Sequence, residues 1–146
     1  MKKLLFLLPI LAISTLVFSQ NSKETKMKKI LIHVTQGPTD PTRAALAFLV
    51  AKSAIEEGHT VFLFLAGDGV LLFRNDVMDT LTGLGTGKLR DHFDAIVKGG
   101  GKFYLSGMSS KARGLTEEIL KGRPAEFAMP NVLVQLTLEC DRVLVY

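Results

Sequence analysis

Cysteine is nearly absent from this chain. Cys140 is the only one in 146 residues, so no intramolecular disulfide can form even in an oxidising compartment, and packing alone must hold the fold. Metal-ligand spacing is missing among the His, Cys and carboxylate residues, so neither a metal nor another cofactor is expected. Charge of one sign is scarce too. The formal net charge is +4, or +2 once Lys2 and Lys3 are set aside, and no basic helix or aromatic RNA-binding strand accompanies it, which excludes a nucleic-acid partner. Internal repeats and low-complexity tracts are absent. Phosphate and dinucleotide loops fail on detail. In Gly83-Leu84-Gly85-Thr86-Gly87-Lys88 the required first glycine is missing and Leu89 stands where Ser or Thr would hold magnesium. In Gly67-Asp68-Gly69 the third glycine position is Leu72, and no clear helix opens there.

What is present begins with the N-terminus. Lys2-Lys3 precede an apolar run from Leu4 to Phe18 that is shorter than the roughly 20 residues a spanning helix needs. Polar residues follow from Gln20. A basic start, a compact apolar core and small residues at Val17 and Ser19 describe a secretory signal peptide cut before Gln20. The expected organisation is therefore a signal peptide over 1–19, a linker over 20–28 and one domain over 29–146, periplasmic or secreted, with no stable membrane insertion after processing. No cysteine follows the apolar core, so a lipid anchor is not indicated. The competing reading is a cytoplasmic protein whose translation starts at Met27.

The remaining chain alternates strand and helix signals. Ile30 to Val34 is a continuous apolar run, as in a strand covered on both faces. Asp40 or Thr39 can cap a helix over Thr42 to Glu57, with Pro41 in its first turn and Gly58 ending it. That helix carries two apolar stripes, one through Ala45, Leu46, Leu49 and Val50 and one through Ala44, Phe48, Ala51 and Ile55, so cover on more than one side is expected. Strands are expected at Thr60–Leu65, Phe103–Leu105 and Arg142–Tyr146, with a short edge strand near Phe127. Helices are expected at Leu89–Val97 and Pro130–Glu139, with one or two short ones within Ser109–Leu120. Residues 66 to 88 read as a Gly-rich irregular stretch. Alternation of this kind implies a mostly parallel sheet between helical layers.

Lys102 to Gly114 carries the candidate chemistry. The apolar run Phe103-Tyr104-Leu105 stops in small and hydroxylated residues and turns into a basic, helix-prone segment. This is how a buried strand delivers side chains to the carboxyl edge of a parallel sheet, where open α/β folds bind ligands. Ser106 and Ser109 are expected at that edge, Lys111 and Arg113 close behind, and the helix start adds a positive field. A small anion or a sulfur-containing ligand suits such an edge. One reading brings Asp68 and Asp40 together at one sheet edge; the plainer reading of both is as cap and turn residues. His33, His59 and His92 show no triad spacing with either serine.

Over Lys29 to Tyr146 the chain resembles the DsrE/DsrF-like family, which includes the sulfur-relay subunit TusD and the YchN-like proteins. The matching marks are Thr35-Gln36-Gly37-Pro38, Ala66-Gly67-Asp68-Gly69-Val70, Tyr104-Leu105-Ser106-Gly107-Met108-Ser109 with Ala112-Arg113-Gly114, and Glu139-Cys140-Asp141-Arg142-Val143-Leu144. The resemblance implies a three-layer α/β/α sandwich with a mostly parallel five-stranded sheet. It also implies homo-oligomers, trimers or hexamers, with sites near subunit interfaces. Candidate ligand-binding residues are Gly37, Gly67, Asp68, Ser106, Ser109 and Arg113. The departure is at Ser106, where sulfur-transferring members carry the Cys that bears a persulfide. A serine cannot hold a persulfide, and its hydroxyl stays protonated without a dedicated base. Cys140 is the other candidate for sulfur chemistry, and its plain reading is a small buried residue between the last helix and the last strand. Two functions remain: a non-catalytic binding oligomer, or a sulfur- or thiol-handling protein working through Cys140 or through the serine hydroxyls.

Mass spectrometry of the native protein from fractionated cells checks the export reading. A mature chain beginning near Gln20 outside the cytoplasm is expected, and a cytoplasmic chain beginning at Met27 would overturn it.

Overall fold

Residues 26–146 are described by the computed structural model, so the signal peptide expected over 1–19 and most of the linker lie outside the described residues. Strand β1 (Lys29–Val34) lies between its sequence neighbour and the last strand of the chain. It pairs in parallel with β2 (Thr60–Leu65), Ile30 opposite Val61 and Ile32 opposite Leu63. Helix α1 (Pro41–Glu56) makes the crossover. The Asp40 carboxylate accepts a hydrogen bond from Arg43 N–H at 3.0 Å, and Pro41 fills the first helical position, where its missing N–H costs nothing. At the other end Gly58 has φ +85°, the left-handed conformation a helix stop favours. Of the two apolar stripes, Ala44, Phe48 and Ala51 are fully buried, whereas Leu46, Leu49 and Val50 are half-covered.

The expected irregular stretch is ordered. A 3-10 helix over Gly67–Phe73 runs into α2 (Asn75–Thr80), and a two-residue-per-strand hairpin follows, β3 (Thr82–Gly83) with β4 (Gly87–Lys88). The glycines concealed this, because Val70, Leu72, Phe73 and Met78 are buried at spacings that match no single helical period. Helix α3 (Leu89–Lys98) buries Leu89, Phe93 and Ile96. It leads to β5 (Lys102–Ser106), α4 (Gly107–Ala112), a 3-10 turn over Glu117–Leu120, the edge strand β6 (Ala125–Ala128), α5 (Pro130–Glu139) and β7 (Arg142–Val145).

The main sheet has the order β6-β5-β2-β1-β7, every neighbouring pair parallel. From β1 the chain steps outward through β2 and β5 to β6, then returns across the whole sheet to place β7 on the far side of β1. Keeping all crossovers of one hand requires the return to use the opposite face. The two faces are unequal as a result. One is packed by α1, α3, the long 3-10 helix and the β5–β6 connection. At its centre Phe48, Phe73 and Phe93 surround Phe103, with ring centroids 6.0, 5.2 and 5.1 Å away. The Arg123 guanidinium lies over Phe73 and Phe93, 5.3 and 5.4 Å from their centroids, and donates to the Phe73 carbonyl and to Asn75 Oδ1. The other face is covered by α5, whose Val132, Leu133 and Leu136 pack on Leu31, Phe62 and Phe64.

A polar clasp fastens β7 to β1 at the amino edge. Asp141 accepts from Lys29 N–H at 2.9 Å and Lys28 Nζ at 3.3 Å, and these hydrogen bonds hold its carboxyl below the ordinary value of 3.8. A carboxyl depressed in the folded state stabilises above its unfolded pKa, and that contribution fades as pH falls through the folded value. Asp141→Asn is therefore expected to lower the melting temperature near neutral pH and to lower it less as the pH falls below the ordinary carboxylate range, in thermal unfolding at neutral and acid pH.

Candidate functional site

The carboxyl ends of β1, β2 and β5 converge on one corner of the molecule, and each brings a turn that the next element needs. After β1, Thr35 N–H and Oγ1 both donate to the Tyr146 carbonyl, at 2.8 and 3.0 Å, closing the seam between β1 and the end of the chain. After β2, the backbone folds back so that Ala66 N–H reaches the Val34 carbonyl at 2.9 Å and Gly69 N–H reaches that of Thr35 at 3.2 Å. This approach is so close that side chains are excluded. A Cβ on Gly37 would fall 2.6 Å from Asp68 Cβ and 2.7 Å from the Asp68 carbonyl oxygen, and one on Gly69 would strike the Val34 carbonyl. Gly37 thus fixes where Asp68 stands, through contact rather than through any chemistry of its own.

After β5, Ser106 ends the strand and caps α4. Its Oγ accepts from Ser109 N–H at 3.3 Å. Ser109 Oγ in turn accepts from Gly67 N–H at 3.0 Å, which ties the start of α4 to the turn after β2. Arg113 closes the ring. Its Nε and Nη2 donate to Asp68 Oδ1 at 2.9 and 2.7 Å, and its Nη1 donates to the Ser109 carbonyl at 3.2 Å. Gly67, Asp68, Ser106, Ser109 and Arg113 therefore meet in a single hydrogen-bonded knot, with Gly37 packed against Asp68, and the six are scattered over 77 positions of sequence from 37 to 113.

Two expectations need adjustment. Asp68 does more than turn the chain, since it holds Arg113, while Asp40 is occupied by the amide of Arg43 in capping α1. Lys111 is exposed and takes no part in the knot. Among the described residues no histidine bonds either serine. His92 Nε2 contacts the Thr86 carbonyl at 2.6 Å, and His33 lies against Phe64, its imidazole pKa lowered by burial. Among the described residues the Ser106 hydroxyl is hydrogen-bonded to the Ser109 amide and to no histidine or carboxylate.

Cys140 lies at the opposite edge. It caps the end of α5, beside Asp141 and the start of β1, and packs with Tyr104 and Leu136 on the α5 face. Burial pushes its thiol pKa up; Lys29 opposes that and Glu139 and Asp141 add to it. A thiol so placed is protonated at neutral pH and stands a full strand length from Ser106, at the other end of the parallel sheet.

The sequence did not announce the role of Gly69, or that of Thr35 with Tyr146. Their signal is backbone proximity, which no single-sequence pattern encodes.

Comparison with known proteins agrees with this geometry. The DsrE/DsrF-like family profile matches residues 28–146. An uncharacterized protein of Methanopyrus kandleri is 29% identical over 121 residues, which is 80% of this chain and 93% of that protein. Among solved structures, the ychN protein of E. coli superimposes with a TM-score of 0.66 at 21% identity, over 82% of this chain and all (100%) of that one. A conserved protein of unknown function from Bacteroides thetaiotaomicron gives 0.59 at 15% identity, over 82% of this chain and 95% of that one. The two structures share the α/β fold with its five-stranded parallel sheet. With the family profile spanning every strand of that sheet, the chain belongs to the DsrE/DsrF-like family.

Proposed function

We propose that this protein is an exported, non-catalytic binding domain that works as a homo-oligomer, trimer or hexamer, and takes a small anionic or sulfur-containing ligand at the Ser106 edge. The observation that carries the reading is the state of Ser106: its oxygen caps α4, and among the described residues no histidine or carboxylate is hydrogen-bonded to it. The cationic group at the same edge, Arg113, is held by Asp68 at 29% side-chain exposure, so a ligand would bind by sharing or displacing that pair. Export rests on the N-terminal pattern of Lys2-Lys3, the Leu4–Phe18 run and Ser19. The second reading, sulfur handling through Cys140, is disfavoured by a thiol whose pKa burial has raised.

Assembly is supported by what the thin face leaves uncovered. Val134 and Leu138 on α5 are 58% and 80% exposed, and Val145 on the edge strand β7 is 66% exposed. An open apolar edge strand is a pairing and aggregation hazard unless something covers it.

Two measurements test the proposal. In a persulfide-transfer assay, the parent protein and Cys140→Ser are both expected to accept little sulfur, while Ser106→Cys gains acceptance because the helix start favours a thiolate. Efficient acceptance by the parent that vanishes in Cys140→Ser would make Cys140 the working residue. Light scattering at micromolar concentration is expected to give a multiple of the monomer mass, reduced in Leu138→Glu by a charge placed on the covered surface. A monodisperse parent monomer would remove the assembly part of the reading.

A further inference from the structure

Helix α5 leaves β6 at the carboxyl edge and delivers β7 at the amino edge of the opposite side, so it crosses its face diagonally. Ten residues of helix span about 15 Å, whereas five strands are about 19 Å wide. A corner of the sheet is left open at the amino ends of β5 and β6, far from Ser106. A crevice of about 210 Å³ occupies it, lined by Lys102, Phe103, Tyr104, Pro124, Ala125 and Glu126. That is below the range of about 300–1,000 Å³ that suits drug-sized ligands.

Its chemistry is two-signed. Lys102 and Glu126 are both exposed, and among the described residues neither has an ion-pair partner within 4.0 Å. Tyr104 stands opposite Glu126 in the strand register, and its ring leans on Phe62 at 6.4 Å. The Tyr104 phenol is kept protonated, first by burial and then by the negative charge of Glu126 and Glu139. It is therefore a donor in a locally acidic setting. Lys102, next to Phe62 in register, supplies the positive end. The rim is held in place before any ligand arrives. Pro124 is bonded through its carbonyl to Phe103 N–H at 3.0 Å, and Arg123 beside it is seated over Phe73 and Phe93.

We infer that this corner is a second binding site, for a small zwitterion of the amino-acid class: carboxylate toward Lys102, ammonium toward Glu126, and an apolar side chain on the Tyr104 ring. It is independent of the Ser106 edge and of the reading given to that edge.

Backbone and Tyr104 side-chain NMR shifts on the purified protein test it, with L-phenylalanine as the probe. Phenethylamine lacks the carboxylate and phenylpropionate lacks the ammonium. Saturable shifts at Tyr104 and Glu126 are expected for phenylalanine. Each single-charge analogue should bind about threefold weaker or worse, the scale of an exposed ion pair. Lys102→Met should abolish the advantage of phenylalanine over phenethylamine, and Glu126→Gln its advantage over phenylpropionate. Both are exposed positions, and an unchanged amide spectrum elsewhere verifies the fold of each variant. The inference is overturned by any of three results: no saturable shift at these residues up to about 10 mM, equal binding of phenylalanine and either analogue, or shifts that survive both substitutions.

Discussion

The return of the chain from β6 to β7 governs this molecule more than any other constraint. A parallel sheet must be covered on both faces, because its strands carry apolar side chains on both. Here one face receives three crossovers' worth of helix, turn and loop, and the other receives α5 alone. The aromatic cluster around Phe103, with Arg123 seated on its rim, is the interior of the well-covered face. Everything unfinished about the surface belongs to the other: the bare side of α5, the open edge of β7, and the corner at Lys102 and Glu126.

The two ends of the sheet also differ in kind. At the carboxyl end, three turns interlock through backbone amides, two serines and one ion pair, and glycines at 37 and 69 permit the contact. The amino end is closed by Asp141 reaching back to Lys28 and Lys29, while β5 and β6 leave a hollow between their starts. Cys140 belongs to this second end. The chain's lone thiol and Ser106 are thus separated by the full length of the strands.

Much of this was legible from residues alone, where local chemistry decides. Asp40 with Pro41, and Gly58, marked the limits of α1 because capping acts within one turn. The strands at 60–65 and 102–106 were visible as apolar runs ending in small residues. Residues 67–80 were not, since a 3-10 helix feeding a six-residue α-helix presents neither of the periods a reader looks for. At the site, the strand-to-helix pattern of Lys102 to Gly114 gathered Ser106, Ser109 and Arg113, and the family resemblance added Gly37, Gly67 and Asp68. The sequence could not tell that Arg113 would turn to Asp68 rather than to solvent, or that Gly37 acts only by yielding space. Those are facts of three-dimensional approach between segments more than 30 positions apart.

The cap on α4 has an implication for what position 106 can do. An oxygen at residue 106 is a good acceptor for the Ser109 amide, and a serine cap is typically worth about 1 kcal/mol over a residue that cannot cap. Sulfur is a weak acceptor. A thiol at this point would be reactive because it is left free, and an oxygen anchors the helix because it is engaged. One atom therefore sets a choice between a start of helix that is firm and one that is available.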